Sequence, residues 1–181
     1  EWEEINLPFK NADRITIGHS ESTLWIYKRK EGLFKLKNNN EWMGFSGSDE
    51  WSYVLSIHDA GQGELILSFD GYIIIKTAKH EFKKYNLSNT GIVFGRLSDV
   101  VRDRDNRILL AFESNSEDSY RSNSHLYTSN LMIYDQGNWE VLLDGSENVK
   151  GNIYDFQSIK LINNRLYLAS KSNGVLKAIL N

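Results

Sequence analysis

A strand-like motif returns along this chain at nearly constant intervals. TLWIY, ELILS, RILLA and RLYLA place apolar residues at equivalent positions, namely Leu24, Leu65, Ile108 and Leu166. The first two intervals are 41 and 43 residues, and the third is 58 because it contains an 18-residue polar insert, Glu113–Asn130. A period of about 40 to 45 residues with about four short strands is typical of a β-propeller blade. Such blades bury their apolar faces against their neighbours.

The segments between these motifs also read as strands. Short runs rich in Ile, Val, Leu and aromatic residues are bounded by Gly, Asn, Asp and Ser, which is the pattern of β-strands and turns. No window shows the sustained spacing of apolar residues that predicts an amphipathic helix. The sequence therefore predicts an all-β fold.

The repeat predicts a single domain of about four four-stranded blades, at residues 8–47, 48–91, 92–146 and 147–181. The last blade lacks a fourth strand, and EWEEINL at Glu1–Leu7 is similar to the outer strands EWMGF and NWEVLL. We therefore expect residues 1–7 to complete the last blade and to close a ring without exposed edges. The alternatives are an open half of a larger propeller and two chains that pair edge to edge as a dimer.

Three glycines precede the third strand of a blade: Gly32, Gly71 and Gly174. A tight turn at that point favours a backbone conformation with positive φ, which glycine adopts without strain. We expect at least two of the three to have positive φ.

Composition and motifs exclude several classes of function. The net charge is −3 with both signs interspersed, so there is no basic stripe for nucleic acid. No apolar run approaches the ~20 residues of a membrane helix. The absence of cysteine excludes disulfides, thiolate metal sites and a Cys nucleophile. The four histidines lack the short spacing of metal ligands, and GFSGS, GQGELI and DRDN are each better explained as turns. We expect no metal and no cofactor.

One face of the predicted propeller carries the candidate binding residues. The turns between blades and those between the second and third strands lie at this face. They carry Trp51, Tyr53, Asp70, Arg96, Tyr120, Arg121, His125, Tyr154 and Asp155. Aromatic rings beside charged groups suit a carbohydrate-like ligand or a protein loop. The alternative is that Trp51 and Tyr53 pack between blades and that the insert Glu113–Asn130 is a solvated loop.

The first repeat resembles a known family. LWIYKRKEGLFKL is similar to the repeat of the two-component regulator propellers, and RDRDNRILLAF resembles the stretch that leads into the same strand. The matching positions are Leu24, Trp25, Ile26, Gly32, Leu33, Phe34, Asp105, Asn106, Ile108 and Leu110. The repeat RLYLASKSNGVLKA is similar at fewer positions. The resemblance implies a sensory or binding propeller outside the cytoplasm, often the input region of a bacterial sensor kinase that recognises carbohydrate fragments.

These observations predict a non-catalytic binding or sensing module that is periplasmic or extracellular. Its partner would be a small carbohydrate-like molecule or a protein, with no nucleic acid and no membrane segment in this chain. Two alternatives stay open. One is a carbohydrate-active enzyme with its site in the propeller funnel, and the other is a propeller that only docks another protein.

Overall fold

A computed structural model describes residues 4–10, 15–20, 23–37, 40–45, 54–69, 71–86, 95–114, 130–144, 156–170 and 174–179. These residues form fifteen β-strands. The first eight strands are β1 (Ile15–Ser20), β2 (Thr23–Lys28), β3 (Gly32–Leu36), β4 (Trp42–Phe45), β5 (Ser56–Gly61), β6 (Glu64–Ser68), β7 (Tyr72–Lys76) and β8 (Phe82–Asn86). The others are β9 (Gly95–Arg102), β10 (Ile108–Ser114), β11 (Asn130–Asp135), β12 (Asn138–Asp144), β13 (Phe156–Ile162), β14 (Arg165–Ser170) and β15 (Gly174–Ile179).

The strands form four antiparallel sheets, each built from strands that follow one another in the chain. Sheet one contains β1 to β4, sheet two β5 to β8, sheet three β9 to β12, and sheet four β13 to β15. The predicted all-β fold of repeated blades is therefore confirmed. Two-residue turns with positive φ at both positions close several hairpins, as at Gln62–Gly63 and Asn163–Asn164. That geometry matches the twist of paired strands, and Gly and Asn, which adopt positive φ most readily, occupy most of these positions.

Apolar clusters fill the three spaces between consecutive sheets. In β6, Leu65 and Leu67 pack towards sheet one, whereas Ile66 packs towards sheet three. Side chains alternate across a strand, so three consecutive buried residues mean that both faces of sheet two are covered. A third cluster, which includes Leu109, Phe156 and other residues, joins sheets three and four. Each sheet therefore buries its apolar side chains against the next sheet, as the repeated strand motif predicted.

The first strand of each sheet lies at the inner side of the assembly, and these strands are in contact in chain order. Strand β1 lies against β5, β5 against β9, and β9 against β13. Gly18 makes the closest of the approaches described for glycine, because a Cβ atom added to it would lie 2.5 Å from Ile57 Cβ. No comparable contact joins β1 and β13 in the described ranges, so the sheets follow an open arc there.

The N-terminal segment differs from the prediction of ring closure. Residues Glu4–Leu7 are not in a strand, and sheet four contains only β13, β14 and β15 in the described part of the chain. The Trp42 indole instead donates a hydrogen bond to the Asn6 carbonyl oxygen at 2.6 Å. The Phe9 ring also meets the Phe34 ring edge-on, with 5.7 Å between centroids. The segment is therefore held by indole and ring contacts against sheet one, and Glu1–Glu3 lie outside the described residues.

The prediction for the turn glycines is confirmed. Gly32, Gly71 and Gly174 have φ values of 107°, 76° and 74°. Each lies where the chain turns from the second to the third strand of a sheet. A residue with a side chain is strained in this region of backbone space.

Candidate binding face

Chain direction places the same parts of every sheet at one end of the arc. The inner strands β1, β5, β9 and β13 begin at this end, and each second strand turns into its third strand there. We call this end the upper face. The turns between first and second strands and between third and fourth strands form the lower face. This is the face for which the sequence predicted the binding residues.

A line of polar side chains links the inner strands near the upper face. The Thr16 hydroxyl donates to the Val54 carbonyl oxygen at 2.6 Å, and the Ser56 hydroxyl donates to the Leu97 carbonyl oxygen at 3.4 Å. The Ser56 Oγ also lies 2.8 Å from His58 Nε2. Residues two apart on a strand point to the same side, which brings Ser56 and His58 together.

Asp99 continues this line between sheets three and four. Its Oδ2 accepts hydrogen bonds from the Ser158 hydroxyl at 2.6 Å and from the Ile159 amide at 2.9 Å. Its Oδ1 accepts one from the Val100 amide at 2.9 Å. A carboxylate with three donors is held firmly, because each charge-assisted hydrogen bond is stronger than a neutral one. We call Thr16, Ser56, His58, Asp99 and Ser158 the inner polar row.

Bulges set the direction of side chains along this row. The pairing of β9 with β10 shifts register between Ala111 and Phe112, which leaves Ser98 as the extra residue on β9. The pairing of β13 with β14 shifts in the same way at Gln157. Bulges interrupt strict alternation and redirect side chains, and they are frequent near functional sites. Gln157 then reaches Glu113, with 3.1 Å between its Nε2 and the Glu113 Oε2.

An aromatic cluster lies at the upper face between sheets one and two. The Phe69 and Tyr72 rings are stacked, with 4.4 Å between centroids and an interplanar angle of 11°. The Tyr27 ring meets Phe69 edge-on at 6.4 Å, and the Lys84 ammonium lies 4.2 Å from the Tyr72 ring centroid. We call Tyr27, Phe69, Tyr72 and Lys84 the aromatic cluster.

Exposure and ionisation differ within this cluster. Tyr27 and Phe69 are buried, Tyr72 is half-buried and Lys84 is exposed. Burial raises the pKa of Tyr27 to about 12, the nearby Tyr72 hydroxyl acts in the same direction, and Arg29 opposes them. Tyr27 therefore stays neutral at physiological pH. In this cluster the Tyr72 ring and the Lys84 ammonium are accessible to solvent, and they pack on the buried rings of Tyr27 and Phe69.

The lower face is occupied by structural contacts. The Arg102 guanidinium donates to the carbonyl oxygens of Ala60 at 2.6 Å and Asn106 at 2.8 Å, and to Glu64 Oε2 at 2.5 Å. The Asp103 carboxylate accepts hydrogen bonds from the amides of Asp105 and Arg107 and from the Arg107 side chain. The DRDN stretch is therefore a turn, as predicted, because Asp103 is already fully engaged by its own loop.

A buried lysine lies between sheets one and two on the side away from the upper face. The Lys76 ammonium lies 5.2 Å from the Trp25 ring centroid and 5.6 Å from that of Phe45. It donates to the carbonyl oxygens of Thr77 at 3.2 Å and Gly63 at 3.4 Å. Burial lowers the pKa of Lys76, and the neighbouring Lys35 charge lowers it further. The aromatic faces supply part of the stabilisation that water would otherwise give.

Most of the sequence-predicted site residues lie outside the described residues. This is so for Trp51, Tyr53, Asp70, Tyr120, Arg121, His125, Tyr154 and Asp155. The backbone of Arg96 lies at the upper end of β9, and its side chain is outside the described residues. The structure therefore does not show whether the predicted site residues lie close to one another.

The sequence-based reasoning did not single out the inner polar row or the aromatic cluster. The sequence could have predicted the Ser56–His58 contact, because the pattern S-I-H on a β-strand places both polar side chains on the same side of the strand. Residues 99 and 158 come from different sheets, so no local pattern joins them.

The described residues contain no group of three His, Asp or Glu side chains suited to a metal ion. In the same ranges, no helix is long and apolar enough to cross a membrane.

No family model matches this sequence, and no curated protein sequence matches it. Solved structures do share its fold. A streptogramin B lyase is 13% identical with a TM-score of 0.61, and the match covers 98% of this chain and 58% of the lyase. YCF48 bound to a D1 peptide is 13% identical with a TM-score of 0.58, over 87% of this chain and 46% of that one.

A third similar structure is the extracellular domain of the proposed hybrid two-component system BT3049 from B. thetaiotaomicron. It is 12% identical with a TM-score of 0.55, and the match covers 91% of this chain and 23% of that chain. At such identities the likeness concerns the β-propeller fold alone. This chain spans little more than half the length of the lyase and less of the other two.

Proposed function

We propose that this chain is a non-catalytic ligand-binding propeller module whose ligand lies on the upper face. The observation that carries the proposal is the aromatic cluster, in which a half-buried Tyr72 ring and the exposed Lys84 ammonium stand on a buried base. Aromatic surfaces with adjacent hydrogen-bonding groups suit the apolar faces and hydroxyls of sugars, and they also suit a peptide loop. The BT3049 extracellular domain and the peptide complex of YCF48 support a recognition role for this fold.

The ligand that fits best is a carbohydrate-like molecule. A sugar has hydroxyl groups that accept hydrogen bonds from Lys84, and it would meet the Tyr72 ring at its edge, because Phe69 and Lys84 lie over the two faces of that ring. The predicted upper-face residues would extend this surface, since Asp70 lies between Phe69 and Gly71 in the sequence. Tyr120, Arg121 and His125 in the insert would close over the ligand.

We propose a periplasmic or extracellular location, in which the chain serves as the input region of a two-component sensor. The resemblance of the first repeat to the two-component regulator propellers supports this, as does the fold shared with the BT3049 extracellular domain. The sensing role would then consist of binding a carbohydrate fragment on the upper face and passing that state to a signalling partner.

The test is a screen of oligosaccharides and peptides, followed by titration calorimetry on matched variants. Lys84→Gln should weaken binding at least threefold, because it removes the ammonium beside Tyr72. Lys83→Gln is the control, because Lys83 is also exposed on β8 but points to the other side of sheet two. Tyr120→Ala with Arg121→Ala should weaken binding without loss of stability. Equal affinities for all variants, or a ligand footprint on the lower face, would contradict the proposal.

The second candidate is a carbohydrate-active enzyme, and one observation favours it. Ser56 Oγ and His58 Nε2 lie 2.8 Å apart, a distance at which a histidine accepts a hydroxyl proton when that proton is turned away from the Leu97 carbonyl oxygen. The lyase and a gluconolactonase-like protein share this fold, which supports an enzyme as the alternative. Turnover of a bound sugar or lactone that disappears in both Ser56→Ala and His58→Gln would favour the enzyme over the binding module.

A further inference from the structure

Equivalent inner-strand positions have different surroundings in sheet one and in the other sheets. Ile17 pairs with Ile26 in sheet one, and Ile57 pairs with Leu67 at the equivalent place in sheet two. Ile57 is only 7% exposed because it packs on sheet one, whereas Ile17 is 65% exposed. Ile159 in sheet four is buried against sheet three in the same way. On this face of sheet one, Ile26 is buried and the N-terminal segment contacts Phe34 and Trp42, whereas Ile17 on the inner strand has no sheet against it in the described ranges.

Sheet four has the complementary face. Val175 pairs with Ala169, and Ile179 pairs with Arg165, which itself pairs with Ile162. Alternation places these side chains on the face that points away from sheet three. Val175, Ile179 and Ile162 are 66%, 67% and 53% exposed. Beside them, β15 pairs only with β14 among the described strands. Strand edges and apolar faces of this kind invite a further sheet.

We infer that a second copy of this chain covers both surfaces, so that sheet four of each copy packs on sheet one of the other. Two identical junctions related by a twofold axis would close one ring of eight sheets. Each junction would repeat the contact already made three times inside the chain, with an apolar inner strand against the preceding sheet. This inference concerns assembly and does not depend on the proposed ligand.

Charge favours a second copy as the occupant. Lys160 and Lys177 both pair with Tyr167, so they lie on the same face of sheet four as Val175. Glu4 is exposed in the described N-terminal segment, which lies against Trp42 and Phe34 on sheet one. A second copy would therefore bring this carboxylate towards a basic sheet face. It would also bring residues 4–7 within reach of β15, whose outer edge pairs with no other described strand.

The first experiment measures mass by light scattering on the full 181-residue chain. The expected mass is twice that of the 20.9 kDa chain. Val175→Asp with Ile179→Asp should reduce it to the mass of one chain, and so should Ile17→Asp, with unchanged circular dichroism. Val141→Asp is the control, because Val141 is an exposed apolar residue on the outer strand of sheet three and should leave the mass doubled. A wild-type mass of one chain, or open assemblies that grow with concentration, would overturn the inference.

The second experiment uses the absence of cysteine in this sequence. A variant with Ile17→Cys and Val175→Cys is treated with a short bismaleimide, and the products are separated under denaturing conditions. Covalent pairs of chains are expected, and Ile17→Cys alone should give almost none. Cross-linking within single chains would mean that sheets one and four meet in the same molecule. That result, or no cross-link at all, would overturn the inference even where a mutant fails to fold.

Discussion

Gly18 offers the sharpest test of how the inner strands meet. A Cβ atom at this position would lie 2.5 Å from Ile57 Cβ, 2.7 Å from Ile57 Cγ2 and 2.7 Å from the Ile57 carbonyl oxygen. Carbon atoms normally approach to about 3.5–4.0 Å, so Gly18→Ala requires β1 and β5 to separate by about 1 Å. Substitution of Ile57 by Ala would not relieve the clash, because its Cβ and carbonyl oxygen remain.

The expected cost follows from two opposing effects. Overpacking of a well-packed interface costs about 1–3 kcal/mol, and alanine restricts the unfolded chain, which returns about 0.4–1 kcal/mol. Because the obstruction includes backbone, we expect Gly18→Ala to lower the free energy of unfolding by about 2 kcal/mol. For a chain of this size that corresponds to a fall in Tm of about 4–8 °C.

Urea unfolding and calorimetry of Gly18→Ala measure this change. Gly44→Ala on β4 is the control, because its Cβ would lie 3.4 Å from the nearest atom, the Phe34 Cε1. Its stability should stay within about 0.5 kcal/mol of the wild type. A Gly18→Ala protein as stable as the Gly44→Ala protein would refute the close approach of sheets one and two.

Three further outcomes are expected. Gly71→Ala should cost about 1 kcal/mol in urea unfolding, because φ is 76° there although no atom lies within 4 Å of the added Cβ. Asp103→Ala should cost about 1–3 kcal/mol, since it removes three hydrogen bonds, whereas Asp103→Asn should lose less because it can still accept from the two amides. The raised pKa of Tyr27, about 12, favours its neutral form in the folded state, so its contribution is complete below pH 10 and is lost as the pH rises above it. Tyr27→Phe should therefore recover about 1 kcal/mol of the stability lost between pH 9 and pH 11, and an unchanged loss would contradict this.

The strands were largely predictable because each is a short apolar run with a turn residue at both ends. YIIIK and RILLA could be assigned to buried strands without knowledge of their neighbours. The start of β5 was less predictable: Val54 and Leu55 continue the apolar pattern of the strand, but the strand begins at Ser56. Pairing across long distances was harder still. The likeness of EWEEI to NWEVL indicates strand character, but it does not specify which sheet the segment contacts.

The site was less predictable than the fold. Stacking of Phe69 on Tyr72 requires the tight turn at Gly71, and a pattern of residues does not report ring orientation. The contact of Asp99 with Ser158 joins two sheets and depends on the bulge at Ser98. Local spacing anticipates only contacts such as that of Ser56 with His58. The predicted surface residues outside the described ranges, such as Trp51 and Tyr154, stay predictions.

The hairpin formed by β10 and β11 has a consequence for how this chain can diversify. Phe112 pairs directly with Asn130, so the two ends of the intervening segment are held beside each other by the sheet itself. Lengthening a segment whose ends are already joined costs only about 0.6 kcal/mol for each doubling. We therefore expect changes in the length of the segment between them to cost sheet three little stability. The hairpin is a natural place to graft new recognition sequences onto an unaltered scaffold.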